Sequence, residues 1–455
     1  MKLVLLSGGS GKRLWPLSND SRSKQFLKVL ENKNNQLESM VQRVWNQLKS
    51  VGLDTSTIIA TSKSQVDMIQ NQLGFDVPLV VEPERRDTFP AIALAATYLY
   101  SVKGISLNEV IGILPVDPFV DDEFFKRVID LEKTLSSSNS QLALVGVNPT
   151  YPSSKYGYIV PEYVEDNYIK VSHFKEKPSE NQAEELIKNN ALWNCGVFAF
   201  KLEYIISILQ EKEMPIQYEE LLKKYSSLPK KSFDYEVVEK TDKIVATSYD
   251  GFWKDLGTWN TLTEEMGTNI IGKGILSEDS KNTHIVNELD IPVTVIGTSD
   301  LVVAASPDGI LVSEKQASPR IKTLLQDFEQ RPMYEERRWG WYKVLDYTKI
   351  EQDYEVLTKR ICVESGKNIS YQKHYKRSET WTIIKGHGEF VLNGKVSYIK
   401  AGDVLKIPVG AEHGIKAISD LEFIEVQTGT ELIEEDIFRI FMTWEEVKRE
   451  YSVAP

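Results

Sequence analysis

Cysteine is nearly absent from this 455-residue chain, with only Cys195 and Cys362. They lie far apart and match no zinc or redox spacing, so a disulfide scaffold is excluded. Long apolar runs are also missing. No stretch approaches the roughly 18 apolar residues that a membrane-spanning helix needs. The opening MKLVLLSGG holds only a four-residue apolar run before its glycines, too short for a secretory signal core, so a cytoplasmic location is expected. Positive charge is in deficit: Lys and Arg number 54 against 66 Asp and Glu, a net charge of −12. An acidic surface repels phosphate backbones, which argues against a nucleic-acid partner, while a local cation cluster can still hold a small anion. No repeat or low-complexity segment interrupts the chain.

The pattern of what is present divides the chain into three: 1–265, 266–332 and 333–455. In the first part, apolar runs at Lys2–Leu6, Thr57–Ala60, Leu79–Val81, Val110–Leu114 and Leu142–Val147 alternate with helical patterns at Gln36–Gln47 and Pro90–Val102. Alternation of this kind predicts an α/β fold, a Rossmann-like mixed or mainly parallel sheet with ligands beyond the strands' carboxyl ends. From Gly267 to Pro307, short strands and Gly/Asn/Asp turns predict a small β extension, followed by a helix over Ala317–Gln330. From Trp339 to about Gln427, closely spaced glycines predict an all-β jelly-roll barrel. The tail Glu434–Tyr451 reads as a helix.

Gly8, Gly9 and Gly11 follow the first strand directly. Glycines there let backbone N–H groups approach an anion. The run is not a P-loop, because Lys12 is followed by Arg13, and it lacks the third glycine of a dinucleotide fingerprint. The continuation, GGSGKRLWPLSNDSRSKQF, resembles the signature of the mannose-1-phosphate guanylyltransferases among the sugar-1-phosphate nucleotidyltransferases. Asn19 and Ser23 depart from the family's usual Arg and Pro. Further segments are similar in order: EPERRDT at 82–88, LPVD at 114–117, YGYI at 156–159, EKP at 176–178, WNCG at 193–196 (Cys195 for the usual Ser), FDYEVVEK at 233–240 and WKDLGTW at 253–259.

The resemblance implies that GTP and mannose 1-phosphate react to give GDP-mannose and pyrophosphate. Arg13 and Lys24 would grip the triphosphate, with Gly8, Gly9, Gly11 and Arg86 around the nucleotide. Asp117 and Asp255 would share Mg²⁺. Lys177 would hold the sugar phosphate, and Gly157, Glu176 and Asn194 would surround the sugar. Trp193 and Trp259 read as core residues. Selection of guanine follows from the resemblance alone, so a nucleotidyltransferase for another sugar phosphate, such as a heptose, and a sugar-nucleotide sensor stay open as alternatives. A homodimer also stays open.

Histidine is scarce as well, but three of the five, His374, His387 and His413, fall in the β-rich tail. Gly366, Gln372, His374, Glu379 and Gly386 have the spacing G-x5-Q-x-H-x4-E-x6-G, and Gly402, Pro408, Gly410 and His413 have G-x5-P-x-G-x2-H. These are similar to the two cupin motifs. Gln372 and His374 would face one side of a strand, and Glu379 joins them only if a turn at Tyr375–Ser378 begins a new strand. Gln372, His374, Glu379 and His413 are plausible ligands for Zn²⁺ or another divalent metal. The tail resembles a type II mannose-6-phosphate isomerase, which would put Arg377 and Arg439 on the phosphate side. It departs from that pattern at Gln372–Arg377, where consecutive histidines are common, at Thr380 and at Ala417. Isomerase activity is therefore left open beside a structural or regulatory barrel.

Overall fold

In a computed structural model of the chain, the described residues are 1–451 apart from positions 10, 20, 166, 167, 329 and 351–353. Ser10 of the glycine loop is thus outside the described residues. The amino-terminal part is built on nine strands: β1 (Lys2–Ser7), β2 (Thr57–Ser62), β3 (Leu79–Glu82), β4 (Val110–Pro115), β5 (Leu142–Val147), β6 (Tyr158–Glu165), β7 (Tyr168–Lys175), β8 (Leu192–Lys201) and β9 (Ile244–Tyr249). They form one sheet in the order β3-β2-β1-β4-β8-β5-β9-β7-β6. The run β3-β2-β1-β4 is parallel, and β8 lies antiparallel between β4 and β5. The sheet is therefore mixed.

Period-two alternation on the central strands feeds two cores. Val4, Ile58 and Ile113 face one, with helix α3 (Thr88–Thr97); Leu3, Leu5 and Ile59 face the other, with α1 (Met40–Ser50), α2 (Val66–Leu73) and α4 (Glu123–Ser138). The glycine loop leaves the carboxyl end of β1 at the edge between these cores.

Next, β10 (Ile270–Gly272), β11 (His284–Asn287) and β12 (Leu301–Ser306) stack in parallel, and β13 (Gly309–Glu314) closes the ladder antiparallel. The barrel contains β14 (Tyr334–Arg337), β15 (Gly340–Ile350), β16 (Tyr354–Val363), β17 (Asn368–Lys373), β18 (Arg377–Lys385), β19 (His387–Leu392), β20 (Lys395–Lys400), β21 (Val404–Ile407), β22 (His413–Ala417), β23 (Leu421–Gly429) and β24 (Phe438–Phe441). Two sheets, β14-β15-β16-β23-β18-β21 and β20-β19-β22-β17-β24, face each other over a core that includes Trp381, Phe390 and Phe423.

Three expected elements differ. The first helix starts at Met40, because Ser39 caps it by accepting from Gln42 N, while Leu37–Glu38 pairs with Leu30–Glu31 as a short ribbon. The Ala317–Gln330 helix shrinks to a 3₁₀ turn over Lys315–Arg320 and one α turn over Ile321–Leu324; Pro319 removes a backbone donor early in that run. The tail is not one helix: Phe438–Phe441 adds a barrel strand, and only Trp444–Glu450 is helical, capped by Thr443. Among the described residues, no helix is long and apolar enough to cross a membrane.

Candidate active site

Lys24 Nζ lies 2.8 Å from Asp117 Oδ2 and 3.1 Å from Asp255 Oδ1. Three distant segments meet here for a simple reason. Asp117 follows β4, and Pro118–Val120 pairs antiparallel with Trp253–Asp255, setting Asp255 opposite Pro118. Burial pushes the Asp255 carboxyl up, but Lys24, with help from Arg13 and Lys155, outweighs that and holds it below its ordinary value. Burial pulls the Lys24 ammonium down, and the two carboxylates more than reverse it. Both groups are therefore charged at neutral pH. Arg13 is exposed, so it acts on Asp255 by its field rather than by contact.

The glycine loop is fixed from beneath. Ser23 Oγ donates to the Gly9 carbonyl at 3.0 Å and accepts from Gln65 Nε2 at 2.8 Å. Gln65 Oε1 in turn accepts from Ser7 and Thr61. A side chain on Gly11 would press into the Asn19 carbonyl, whereas Gly8 and Gly9 meet nothing within 4 Å. Gly11 therefore allows the close approach of two backbone segments, and Gly8 and Gly9 keep the cavity wall low. The two departures from the expected signature have local explanations. Ser23 supplies the hydroxyl just described. Asn19 Oδ1 accepts from the Ser21 and Arg22 amides, and its Nδ2 donates to Asp308 at 2.6 Å.

Beyond the carboxyl ends of the central strands lies a cavity of about 550 Å³, whose lining includes Gly8, Gly9, Arg86, Asp117, Lys230 and Asp234. Arg86 reaches it already engaged, donating to the Leu228 carbonyl at 3.0 and 3.2 Å and pairing with Glu84 at 3.2 Å.

A second group adjoins Asp234. Asn194 Nδ2 donates to Asp234 Oδ1 at 2.7 Å, the Asn194 amide donates to the Gly157 carbonyl at 2.8 Å, and Lys177 Nζ pairs with Glu176 Oε1 at 2.6 Å. A Cβ on Gly157 would sit 2.5 Å from Glu176 Oε2, so glycine is needed to let that carboxylate in. Glu176 Oε2 is buried without a hydrogen-bond partner. An unpaired buried carboxylate oxygen is costly, and a ligand hydroxyl would satisfy it. Burial, reinforced by the charge of Glu176, pushes Asp234 up to about 7. Trp193 and Trp259 are both buried, as expected of core residues.

In the barrel, the turn between β17 and β18 brings Glu379 back to His374. The ligating atoms of His374, Glu379 and His413 lie within 4.8 Å of one another, all buried. Glu379 is 3.2 Å from His374 Nε2 and 3.4 Å from His413 Nε2. The Nδ1 atoms are turned away, His374 to the Asp436 carbonyl at 2.9 Å and His413 to the Ala411 carbonyl at 3.0 Å. Donation of Nδ1–H to those carbonyls leaves both Nε2 lone pairs facing Glu379, the tautomer a metal requires. Burial holds His374 down at about 4, so its ring is neutral at pH 7. Gln372 borders the cluster, its Nε2 3.4 Å from His374 Nε2 and its Oε1 accepting from Ser370. Arg377 donates to Glu379 at 2.9 Å and to the Ile433 carbonyl, so it balances the buried carboxylate. Residues 2–269 match the nucleotidyl transferase family model.

The chain belongs to the nucleotidyl transferase family. Residues 327–441 also match a model described as mannose-6-phosphate isomerase C-terminal. Relatives align over nearly the whole length. A mannose-1-phosphate guanylyltransferase of Salmonella montevideo is 28% identical over 96% of this chain and 98% of its own. The xanthan biosynthesis protein XanB of Xanthomonas campestris pv. campestris is 30% identical over 97% and 98%. A crystal structure described as a mannose-1-phosphate geranyltransferase from Thermus thermophilus superimposes with a TM-score of 0.61 at 27% identity, covering 72% of this chain and 99% of that one.

Three polar residues of this nucleotidyl transferase's site were not legible in the sequence. Gln65 is the buried hub under the glycine loop, and one glutamine carries no sequence signal. Lys230 lines the cavity from a connecting segment. Asp234 stands in a matched run, and its burial next to Glu176 is visible only in three dimensions.

Proposed function

We propose that this nucleotidyl transferase joins GTP and α-D-mannose 1-phosphate to form GDP-mannose and pyrophosphate, supplying a polysaccharide precursor. The observation that carries the reading is the Lys24–Asp117–Asp255 group beside a glycine-walled cavity. Relatives of matching length, one named as a mannose-1-phosphate guanylyltransferase and others as polysaccharide biosynthesis proteins, support this choice of sugar and base. The parts divided near residues 265 and 332 would take separate roles, with transfer confined to the first.

A phosphate oxygen of the sugar phosphate attacks the α-phosphorus of GTP. The α–β P–O bond breaks, and its electron pair leaves with pyrophosphate. A phosphate monoester is mostly dianionic at neutral pH, its second pKa being about 6, so no base is needed. The difficulty is repulsion between two polyanions, and catalysis is positioning and charge neutralisation. Arg13 and Lys24 attract the triphosphate, and backbone N–H groups of Gly8, Gly9 and Gly11 face its oxygens. Lys177 holds the sugar phosphate, while Glu176 and Asn194 accept and donate hydrogen bonds to sugar hydroxyls. Arg86 borders the nucleotide. Asp117 and Asp255, two hard oxygen donors, suit Mg²⁺, which when bound neutralises phosphate charge.

In the barrel, His374, Glu379 and His413, with Gln372 beside them, suit Zn²⁺ or another divalent cation by donor type and tautomer. The isomerase-type family match and this closed donor set support a second activity, interconversion of mannose 6-phosphate and fructose 6-phosphate.

Incubation with Mg²⁺, each nucleoside triphosphate and each sugar 1-phosphate, with pyrophosphate as the readout, tests the first reading. Release is expected with GTP and mannose 1-phosphate above all other pairs. Preference for another sugar or base would replace it, and no release with any pair would reject it. Failure of the metal-loaded protein to convert fructose 6-phosphate would remove the second activity.

A further inference from the structure

The barrel's cavity, of about 360 Å³, is not walled by the barrel alone. Lys63 and Ser64, from the turn that leads out of β2 into α2, and Asp67 of α2 form part of its lining. Ser62, the last residue of β2 just before this turn, lines the nucleotide-side cavity together with Arg85, which donates to Ser64 Oγ at 3.3 Å. The contact between the parts is anchored: Asn71 donates to the Arg337 carbonyl at 3.2 Å, Gln72 donates to Glu336 at 3.0 Å, and Arg337 pairs with Asp67 at 3.8 Å.

Six cations line this cavity (Lys63, Arg337, Arg338, Lys359, Arg377 and Arg439) against four carboxylates (Asp67, Glu379, Glu425 and Glu434). The carboxylates are taken up unevenly. Arg337 and Lys359 share Glu434 at 3.6 and 3.1 Å, Arg337 also holds Asp67, and Arg377 holds Glu379. Among the described residues, Lys63, Arg338 and Arg439 form no ion pair with a carboxylate. Arg338 donates only to the Met442 carbonyl, at 3.0 Å. Burial and the charge of Arg439 pull the Arg338 guanidinium down, with only Asp67 opposing them. Cations that face one cavity and repel each other favour a compact dianion, and guanidinium forks match phosphate geometry.

We propose that Lys63, Arg338 and Arg439 form the phosphate subsite of a phosphomonoester-binding cavity whose inner wall carries Gln372 and Glu379, so that the amino-terminal part completes the barrel's site. The ligand class is a small phosphorylated polyol or sugar. The inference rests on the reading of the barrel as a ligand site and adds the contribution of Lys63 across the boundary between parts.

The test is calorimetric titration of the full-length protein at low salt, with GDP-mannose present to occupy the other cavity. Mannose 6-phosphate and inorganic phosphate are the two probes. Lys63→Ala and Arg439→Ala are each expected to weaken mannose 6-phosphate binding about tenfold or more, the loss of one charge-assisted contact. Lys63→Arg should bind within about threefold of the unaltered protein, which separates charge from folding. Pyrophosphate release from GTP should be unchanged in Lys63→Ala. Equal dependence of inorganic phosphate binding on Lys63 would identify the subsite's ligand as free phosphate and still support the subsite. Normal mannose 6-phosphate binding by Lys63→Ala would overturn the proposal while leaving the barrel a ligand site. No binding of either probe by the unaltered protein would overturn both.

Discussion

At the scale of single residues, Lys24 and Asp234 show how burial sets the chemistry. Lys24 stays charged despite burial because the carboxylates of Asp117 and Asp255 hold it, and Lys24 in turn holds Asp255 below its ordinary value. Asp117→Ala breaks this reciprocal arrangement. Its kcat for pyrophosphate release is expected to fall on the order of 10²-fold or more, since it removes charge stabilisation at the reacting phosphates. A rate unchanged in steady-state assays would contradict the role given to Asp117. Asp234 behaves oppositely. Its carboxyl ionises near 3.8 when unfolded and at about 7 when buried beside Glu176. Between those values the folded chain holds a proton that the unfolded chain has lost, so this contribution to stability disappears as pH rises through about 7. Asp234→Asn keeps the acceptor for Asn194 and removes the titration. Its thermal midpoint relative to the unaltered protein is expected to improve between pH 5 and pH 8.5, and a pH-independent difference would refute the assignment. Of these two residues, Asp117 was legible as a strand-end carboxylate from the LPVD run, and its metal role is what the resemblance implies. The role of Asp234 was not legible, because its partners Glu176 and Asn194 are remote in sequence.

At the scale of elements, the glycine loop separates two uses of one residue type. Gly11 lets the loop pass the Asn19 carbonyl, and Gly8 leaves the cavity open. Gly11→Ala must displace backbone and is expected to destabilise the protein by about 1–3 kcal/mol, as overpacking does. Gly8→Ala meets no neighbour, so its denaturation curve should match the unaltered protein while its turnover falls. A stable Gly11→Ala protein in urea melts would remove the structural role. Five of the nine strands of the first part were readable because each is a short apolar run bounded by turns or polar helices; Tyr158–Glu165, Tyr168–Lys175, Leu192–Lys201 and Ile244–Tyr249 were not read as strands. The helix over Ala317–Gln330 differs for a partly local reason and the helical reading of 434–451 for a tertiary one. Pro319 and packing against the first part break the one. In the other, Phe438–Phe441 finds an open edge at β17, where sheet pairing overrides local pattern.

At the scale of the molecule, Arg22 ties the three parts together. From the signature loop it reaches Glu288 of the small β part at 2.9 Å and Glu336 of the barrel's first strand at 3.7 Å, and it stacks 5.0 Å over Tyr334. Its side chain is only 6% exposed, so removing it strands buried charge. Arg22→Met is expected to destabilise the protein by about 3 kcal/mol. Adding Glu336→Gln should recover part of the loss. A thermal midpoint unchanged by Arg22→Met would show that the parts do not depend on this contact. The sequence divided the chain into three, and it held no sign of this node, because a lone arginine inside a phosphate-binding signature reads as part of that signature.

In the proposed reaction, a glycine-walled cradle and two aspartates bring two phosphorylated substrates together at the carboxyl ends of β1 and β4. The most direct measurement is a crystal structure with GDP-mannose and Mn²⁺, using anomalous scattering to locate the metal. The expected result is a manganese peak between Asp117 and Asp255, the diphosphate against Gly8 and Gly9, and the mannose beside Glu176 and Asn194. A ligand bound elsewhere, with no metal at the two aspartates, would contradict it.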